Sequence, residues 1–296
     1  MIEPVGTSAV DIACRALLGT QAVQAHQLSA SASTAVYRVI LTERQIHDSM
    51  IVKVYAGRTQ WKAGKEHLIL AERSGCSAFG IPDVVASGPI PGHDLTALVL
   101  TDLGSNTLHQ TISDGTYSRR DALGLLGQIL NAFHHDPGHS ADRTRSPVVS
   151  HLVLDARRLR DRLPEEVNWR VQTSLDRLAR PAAQRKAVSC HGDLHFGNVV
   201  LRAAYALPYL IDFEQATDAP AEYDLAQTAV TTDALTSGDL TSLMTSYLGP
   251  TSYGLLTDLI VFHTLRGWWW AARQEGRDVA LWQTRLAQVL DQYVRP

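Results

Sequence analysis

The hydrophobic period of this 296-residue chain changes once, near residue 104. Before that point the apolar residues come in short, β-branched runs. "TAVYRVILTE" (Thr34–Glu43) and "SMIVKVYA" (Ser49–Ala56) read as strands, and the polar "RQIHD" between them suits a hairpin turn. "WKAGKEHLILAERSG" (Trp61–Gly75) has Leu68, Ile69 and Leu70, glutamates at helical spacing and a glycine stop, so a helix is expected there. "IPDVVASG" (Ile81–Gly88) and "LTALVLTDLG" (Leu95–Gly104) follow as two more strands. After Gly104 the period is helical over "SRRDALGLLGQILNAFHHD" (Ser118–Asp136), "SHLVLDARRLRDRLPEE" (Ser150–Glu166) and "VNWRVQTSLDRLAR" (Val167–Arg180), and again from about Tyr223 to Tyr293. A strand-rich part with one inserted helix, followed by a helix-rich part, is an α+β chain of two lobes, with the boundary between residues 103 and 104.

Composition narrows the partners. The chain is 45% hydrophobic and 19% charged with a formal net charge of −3, so no basic stripe points to nucleic acid. Cys14, Cys76 and Cys190 lie far apart and show neither a disulfide framework nor zinc-ligand spacing. The first twenty residues carry Glu3 and Asp11 and no basic start before a long apolar core. The longest apolar runs fall far short of the ~20 residues a membrane helix needs. A cytoplasmic protein without a membrane partner is expected.

One irregular stretch interrupts the helical part. "CHGDLHFGNVVLRAAYALPYLIDFEQA" (Cys190–Ala216) contains a short apolar hairpin, "NVVL" and "YLI" around "RAAYAL". Pairing of those strands brings Asp212 back beside Asn198. One carboxylate and one amide then face the same point, which suits Mg²⁺, a cation held by few protein ligands together with waters and phosphate oxygens. Asp193 is not needed for the metal and is placed to accept a proton from an incoming hydroxyl. This is the pattern of a phosphoryl-transfer site.

"HGDLHFGN", "LIDFEQA" and the following "EYDLA" resemble the aminoglycoside phosphotransferase and choline kinase superfamily, relatives of the protein kinases. The resemblance extends over nearly the whole chain. It implies a two-lobed protein-kinase-like fold: an N-terminal nucleotide-binding lobe of antiparallel sheet and one helix (1–103), and a larger, mainly helical lobe (104–296) with the catalytic loop and acceptor site. It implies Asp193 as catalytic base, Asn198 and Asp212 as metal ligands, His191 as a brace for the catalytic loop and Asp224 as a structural acid. His195 is expected to support the same loop.

Such a fold makes demands on the first lobe. Lys53 in "IVKVY" supplies the strand lysine that reaches nucleotide phosphates, and a buried ammonium needs a partner. Glu66, thirteen residues on, is the expected partner, with Glu72 as a weaker one. The stretch that should cover the phosphates, "LSASASTAVYRV", has no glycine, and Ser31, Ser33 and Thr34 are its candidate contacts. "ALVLTDLGSNTL" suits the interlobe hinge, where main chain of Thr101, Asp102 and Leu103 would meet the purine. Glu214 stands where protein kinases have the glycine of Asp-Phe-Gly, which points towards small-molecule kinases.

The acceptor is less legible. A cationic aminoglycoside needs acids, and Asp155, Asp161, Glu165, Glu166, Asp218 and Glu222 are candidates, but Arg157, Arg158, Arg160 and Arg162 interrupt the first four. "FHTLRGWWWAARQEG" (Phe262–Gly276) puts three consecutive tryptophans on a helix, so at least one must leave the core, and Trp268 or Trp269 is a candidate acceptor wall. His134, His135, His139 and His151 suit a structural helix-end role better than a metal site. The expectation is therefore transfer of the γ-phosphate of ATP or GTP, with Mg²⁺, to a hydroxyl of a small molecule such as an aminoglycoside or related antibiotic. The alternatives are a metabolic kinase for choline, homoserine or a sugar, and a catalytically dead kinase-fold binding module.

Overall fold

The computed structural model describes residues 7–31, 33–42, 49–135, 150–163, 169–180, 187–202, 207–273 and 278–294. The expected turn at 44–48, together with His139, Glu165 and Glu166, lies outside them. In chain order the elements are α1 (Thr7–Leu18), β1 (Ala22–Ala30), β2 (Thr34–Leu41), β3 (Met50–Ala56), α2 (Trp61–Arg73), β4 (Val84–Pro89), β5 (Leu95–Thr101), α3 (Leu108–Ser113) and α4 (Arg119–His135). They continue with α5 (Ser150–Arg160), α6 (Trp169–Ala179), β6 (Val188–Cys190), β7 (Val199–Leu201), β8 (Pro208–Leu210), β9 (Thr217–Ala219), α7 (Ala221–Thr231), α8 (Ser237–Thr245), α9 (Tyr253–Arg273) and α10 (Val279–Tyr293). The α+β class is as expected, and the helix follows the third strand. α1 and β1 were not anticipated.

The chain forms two compact units, residues 1–107 with 198–214, and residues 108–197 with 215–296. The excursion of 198–214 into the first unit follows from backbone pairing. Gly80 N–H donates to Pro208 O at 2.8 Å, Leu210 N–H to Gly80 O at 2.9 Å, and Leu201 N–H to Asn106 O at 2.8 Å. A single cut at 103/104 therefore does not describe the path of the chain.

Unit 1 is built on an antiparallel sheet in the order β1-β2-β3-β5-β4. Side chains alternate between its faces. Ala35, Tyr37 and Val39 of β2, Val52 and Val54 of β3, and Ala97 and Val99 of β5 form one core with Val10, Ala13 and Cys14 of α1. The register sets Val36 opposite Lys53 and Lys53 opposite Leu98, and the next row is Arg38, Ile51 and Leu100. These residues occupy the other face, so Lys53 is held at the sheet centre. β1 is an edge strand, mostly exposed and polar, without the apolar alternation that would announce it.

Unit 2 is helical. α7 runs through its middle, with Leu225, Ala226, Ala229 and Val230 all buried, and it packs on α9. α9 also meets α6 and α10, and α4 packs on α8. The short antiparallel pair β6–β9 joins Cys190 to Thr217. Among the described residues no helix is long and apolar enough to cross a membrane.

Candidate active site

In unit 1 the chemistry gathers around Lys53. Its ammonium donates to Glu66 Oε1 of α2 and to Asp212 Oδ1, each at 2.8 Å. Burial pushes the Lys53 pKa down, and the carboxylates of Asp212 and Glu66 overcome this and hold it above the ordinary lysine value. Glu66 is fully buried and also accepts from Tyr55 Oη at 2.6 Å and from Phe213 N–H at 3.2 Å. Glu72 is exposed, so Glu66 is the partner of Lys53. β3 lies inside the sheet, between β2 and β5, so Lys53 stands on an interior strand.

The hairpin β7–β8 pairs Val199 with Leu210, and Ile211 N–H donates to Asn198 O at 3.1 Å. Asp212 has φ +69°, a left-handed conformation that non-glycine residues adopt at a cost of about 1 kcal/mol or more and that aspartate tolerates better than most. Such backbone persists where the surroundings over-determine it, and here Lys53 anchors the side chain. Glu214 follows on the same turn and is fixed from α2: Lys62 Nζ lies 3.2 Å from its carboxylate and Lys65 Nζ donates to its carbonyl at 2.9 Å.

Lys53, Thr101, Leu103, Asn198 and Asp212 all line one cavity of about 240 Å³ within unit 1. Residues singled out from sequence thus meet in one place, and Asp102 lines the same cavity. Asn198 and Asp212, an amide and a carboxylate among the lining residues of this cavity, offer the oxygen donors that suit a hard cation such as Mg²⁺. Ser31, Ser33 and Thr34 do not line the cavity. They form the β1–β2 turn, where Ser31 Oγ accepts from Ser33 N–H at 3.4 Å and Thr34 N–H at 3.1 Å. Leu28 and Ser29 line it instead, with Val36, Arg38 and Ile51. The two-residue alternation along β2 and β3 was the signal for the last three. Thr101 N–H is committed to Asp83 O at 3.0 Å. The Asp102 carboxylate ties the segment after β5 to β2, accepting from Arg38 Nε at 2.6 Å, Ser49 Oγ at 2.7 Å and Gly104 N–H at 2.8 Å.

In unit 2, Asp193 follows β6 in a loop held from α7. The buried carboxylate of Asp224 accepts the N–H groups of His191 and Gly192, each at 2.7 Å, and pairs with His134 Nε2 at 3.0 Å. Burial pushes its pKa up, but His134, His191 and the Gly192 amide outweigh this and hold its carboxyl below the ordinary range. Asp224 is therefore more than a helix N-terminal acid: it fixes the loop backbone. His134 Nδ1 is 3.1 Å from Tyr247 Oη, so both its nitrogens are engaged. Cys190 Sγ donates to Ala219 O and Pro220 O, each at 3.6 Å, so His134, Cys190 and Asp224, which come within reach of one another, each have hydrogen-bond partners within the protein. Thr228 Oγ1 donates to Leu194 O at 2.8 Å, Gln227 Nε2 to Asp193 Oδ1 at 3.2 Å, and Gly197 N–H to His195 Nδ1 at 3.0 Å.

Asp193 lines a second cavity, of about 810 Å³, whose walls all belong to unit 2. Of the candidate acceptor acids only Asp155 is among its described lining. Asp161 pairs with Arg160 at 2.9 Å, and Glu222 is buried and accepts from Ser252 N–H at 2.6 Å. Trp269 lines the cavity and Trp270, 59% exposed, is the tryptophan that leaves the core; Trp268 is not among the lining residues.

The profile of the phosphotransferase enzyme family matches residues 24–256. The chain belongs to this family. It is a phosphotransferase, as the motifs around Asp193 and Asp212 led us to expect. No curated protein is a significant match by sequence. Among solved structures, the phosphotransferase is similar to an aminoglycoside 2′-phosphotransferase-IIIa determined as its GDP complex (TM-score 0.67, 12% identity, 96% of this chain and 97% of that one). It is similar also to a spectinomycin phosphotransferase in complex with ADP and spectinomycin (TM-score 0.59, 13% identity, 100% and 95%). A choline kinase from Cryptosporidium parvum has the same fold (TM-score 0.60, 12% identity, 97% and 95%). The fold is thus the protein-kinase-like one shared by these enzymes.

Proposed function

We propose that this phosphotransferase moves the γ-phosphoryl group of ATP or GTP to a hydroxyl of a small molecule, a sugar-containing antibiotic or a related metabolite. Lys53 carries the reading. A lysine buried at the centre of a sheet, held between two carboxylates and lining a cavity with Asn198 and Asp212, has little structural rationale and suits a polyphosphate. Unit 1 takes the nucleotide, with main chain of Thr101 and Leu103 at the base. Ser31, Ser33 and Thr34 meet the phosphates only by giving up hydrogen bonds of their own turn. Asn198 and Asp212 would hold Mg²⁺, which supplies charge neutralisation at the phosphate oxygens. In unit 2 Asp193 orients the acceptor hydroxyl, steered by the amide of Gln227. The hydroxyl oxygen bonds to the γ-phosphorus, the bond to the β–γ bridging oxygen breaks, the nucleoside diphosphate leaves and the hydroxyl proton passes to the Asp193 carboxylate. No covalent enzyme intermediate is needed. A reaction that consumes a nucleoside triphosphate suits the cytoplasm.

Asp193→Ala tests this. Mass spectrometry over a panel of hydroxylated acceptors with Mg²⁺ and ATP or GTP should show a product heavier by one phosphoryl group, absent in the variant. Calorimetry should find nucleotide binding unchanged. Equal loss of binding and transfer would remove Asp193 from the chemical step. A dead binding module would give neither product nor a nucleotide-dependent thermal shift. A second reading, choline, rests on the tryptophans of the unit 2 cavity, since aromatic rings cage quaternary ammonium groups, but the arginines beside them weigh against it.

A further inference from the structure

The charge on the unit 2 cavity does not suit a polycation. Among its described lining residues are three arginines, Arg158, Arg162 and Arg266, and two acids, Asp155 and Asp193. One of those acids is already paired, Arg158 with Asp155 at 3.4 Å. Arg162 lies over the ring of Trp269, 5.4 Å from its centroid, and Arg266 donates to Tyr223 Oη at 2.8 Å. Among the described residues neither arginine pairs with a carboxylate, and both bring positive charge to the cavity.

Two further features concern shape and polarity. Gly267 lets the ring of Trp282 lie flush on α9, for an ideal Cβ there would be 2.5 Å from Trp282 Cζ2 and closer still to other ring atoms. Trp282, Trp269 and Trp270 then offer flat apolar surface from two helices. His263 also lines the cavity. It is 97% buried (3% exposed); the backbone of Tyr223 lies near enough to influence its ring, but neither ring nitrogen makes a hydrogen bond of good geometry among the described residues. Burial, with Arg266 beside it, keeps this imidazole neutral, so it offers one donor and one acceptor to a bound molecule.

We infer that the acceptor is a hydroxylated molecule that combines a flat apolar ring with an anionic or uncharged polar remainder, and that Arg162 and Arg266 select against polycations. The inference rests on the phosphotransfer reading for the role of the cavity, but not for its charge preference. A flat ring stacks on Trp269 or Trp282, a polar group meets His263, and a carboxylate or similar group meets the two arginines.

The test separates binding from transfer. Tryptophan fluorescence of the full chain is titrated with phenyl β-glucuronide, phenyl β-glucoside and kanamycin, and each is also offered as acceptor with Mg²⁺ and ATP or GTP. Both phenyl glycosides should quench, each at least about tenfold more tightly than kanamycin, a margin of ~1.4 kcal/mol. Arg162→Glu should narrow or reverse the glucuronide-to-kanamycin ratio by about tenfold, and its unchanged thermal transition would show that the fold is intact. Kanamycin binding more tightly than both phenyl compounds, or no quenching by either, would overturn the inference. Selective quenching by the phenyl compounds without phosphorylation, in a protein that binds no nucleotide, would overturn the phosphotransfer reading and leave the charge preference standing.

Discussion

Gly192 immediately precedes Asp193 and has φ +80°, so alanine there meets two separate penalties. The first is conformational: an L-residue forced into the left-handed region costs about 1–2 kcal/mol. The second is steric. An ideal Cβ on Gly192 would be 2.8 Å from the carbonyl carbon of Gln215 and closer still to its oxygen, and a backbone carbonyl has no rotamer with which to yield. The loop must shift, and the shift breaks or lengthens the 2.7 Å bond from Gly192 N–H to the Asp224 carboxylate. A hydrogen bond to a charged group contributes about 1.5–3 kcal/mol, so Gly192→Ala should cost about 3–5 kcal/mol altogether. Gly19 is the matched control. It ends α1 with φ +70°, and a Cβ there meets nothing within 4 Å, so Gly19→Ala should carry only the conformational ~1–2 kcal/mol. Urea unfolding of both variants, followed by far-UV circular dichroism, measures the difference. Phosphoryl transfer should fall far more in Gly192→Ala, because the displaced residue is followed by Asp193. Equal losses of stability in the two variants would refute the claim that the Gln215 carbonyl and the Asp224 clamp fix this loop.

Lys53→Met leaves Glu66 charged and buried without its cation, and should cost about 3–5 kcal/mol, whereas Lys53→Met with Glu66→Gln should cost less than the single change; urea unfolding of the pair decides, and a costlier double variant would exclude an uncompensated charge as the cause. Asp212→Ala should weaken affinity for the magnesium–nucleotide complex, and an unchanged Mg²⁺ dependence of binding would remove Asp212 as a ligand. Burial raises the Asp102 pKa, but Arg38, Ser49 and the Gly104 amide outweigh it and the net shift is downward. A carboxyl depressed in the folded state contributes stability that is complete above its unfolded value of about 3.9 and is lost as pH falls through the folded one. Asp102→Asn should therefore be less stable than the wild type at pH 6 and flatten the acid limb of the stability profile below about pH 4. Gly267→Ala should raise the acceptor KM with little change in kcat or in the thermal transition, because the far end of the Trp282 ring can swing away; an unchanged KM would take Trp282 out of the acceptor wall.

The surroundings of Lys53 in unit 1 were legible because their parts are fixed by short-range rules. A lysine between valines in a strand, a glutamate on the next helix, and an amide and an acid at the two ends of a hairpin each break the apolar pattern around them, and a two-residue period says which face they share. Lys53, Glu66, Asn198 and Asp212 were found that way. β1 was not, because an exposed edge strand such as "AVQAHQLSA" needs no apolar alternation to pair. Nor were Leu28 and Ser29, which reach the unit 1 cavity because β1 pairs with β2 while the residues after them turn upon themselves. The path of 198–214 into unit 1 depends on Gly80 and Asn106: Asn106 Nδ2 donates to Leu201 O at 2.8 Å and a Cβ on Gly80 would strike the Tyr209 ring, but nothing near either residue in sequence says that this distant segment is the partner.

The unit 2 cavity illustrates a different limit. Its described lining comes from α5, α7, α9 and α10 and from the segments around Arg162, Asp193 and Gln215, so residues close in sequence, such as His263, Arg266 and Trp269, meet Asp155, Arg162 and Trp282 from far along the chain, which no single motif could join. Read along the chain, Arg158, Arg160 and Arg162 belong to one run of mixed charge, the pattern of a solvated helix face, and two of the three do pair with neighbouring acids. Only the packing of α5 beside α9 separates Arg162 from that run and sets it on Trp269. The same holds for the "GWWW" stretch, where the glycine seemed incidental and the tryptophans drew attention. Gly267 decides whether Trp282, fifteen residues further on, can close against α9 at all. A nucleotide site has to satisfy one unchanging polyphosphate, and so few arrangements serve it. If the unit 2 cavity takes the acceptor, as proposed, it has only to bring one hydroxyl to Asp193, and every other contact is free to follow the molecule that bears it. The charge of the unit 2 cavity is therefore the better guide to the acceptor than any motif near Asp193.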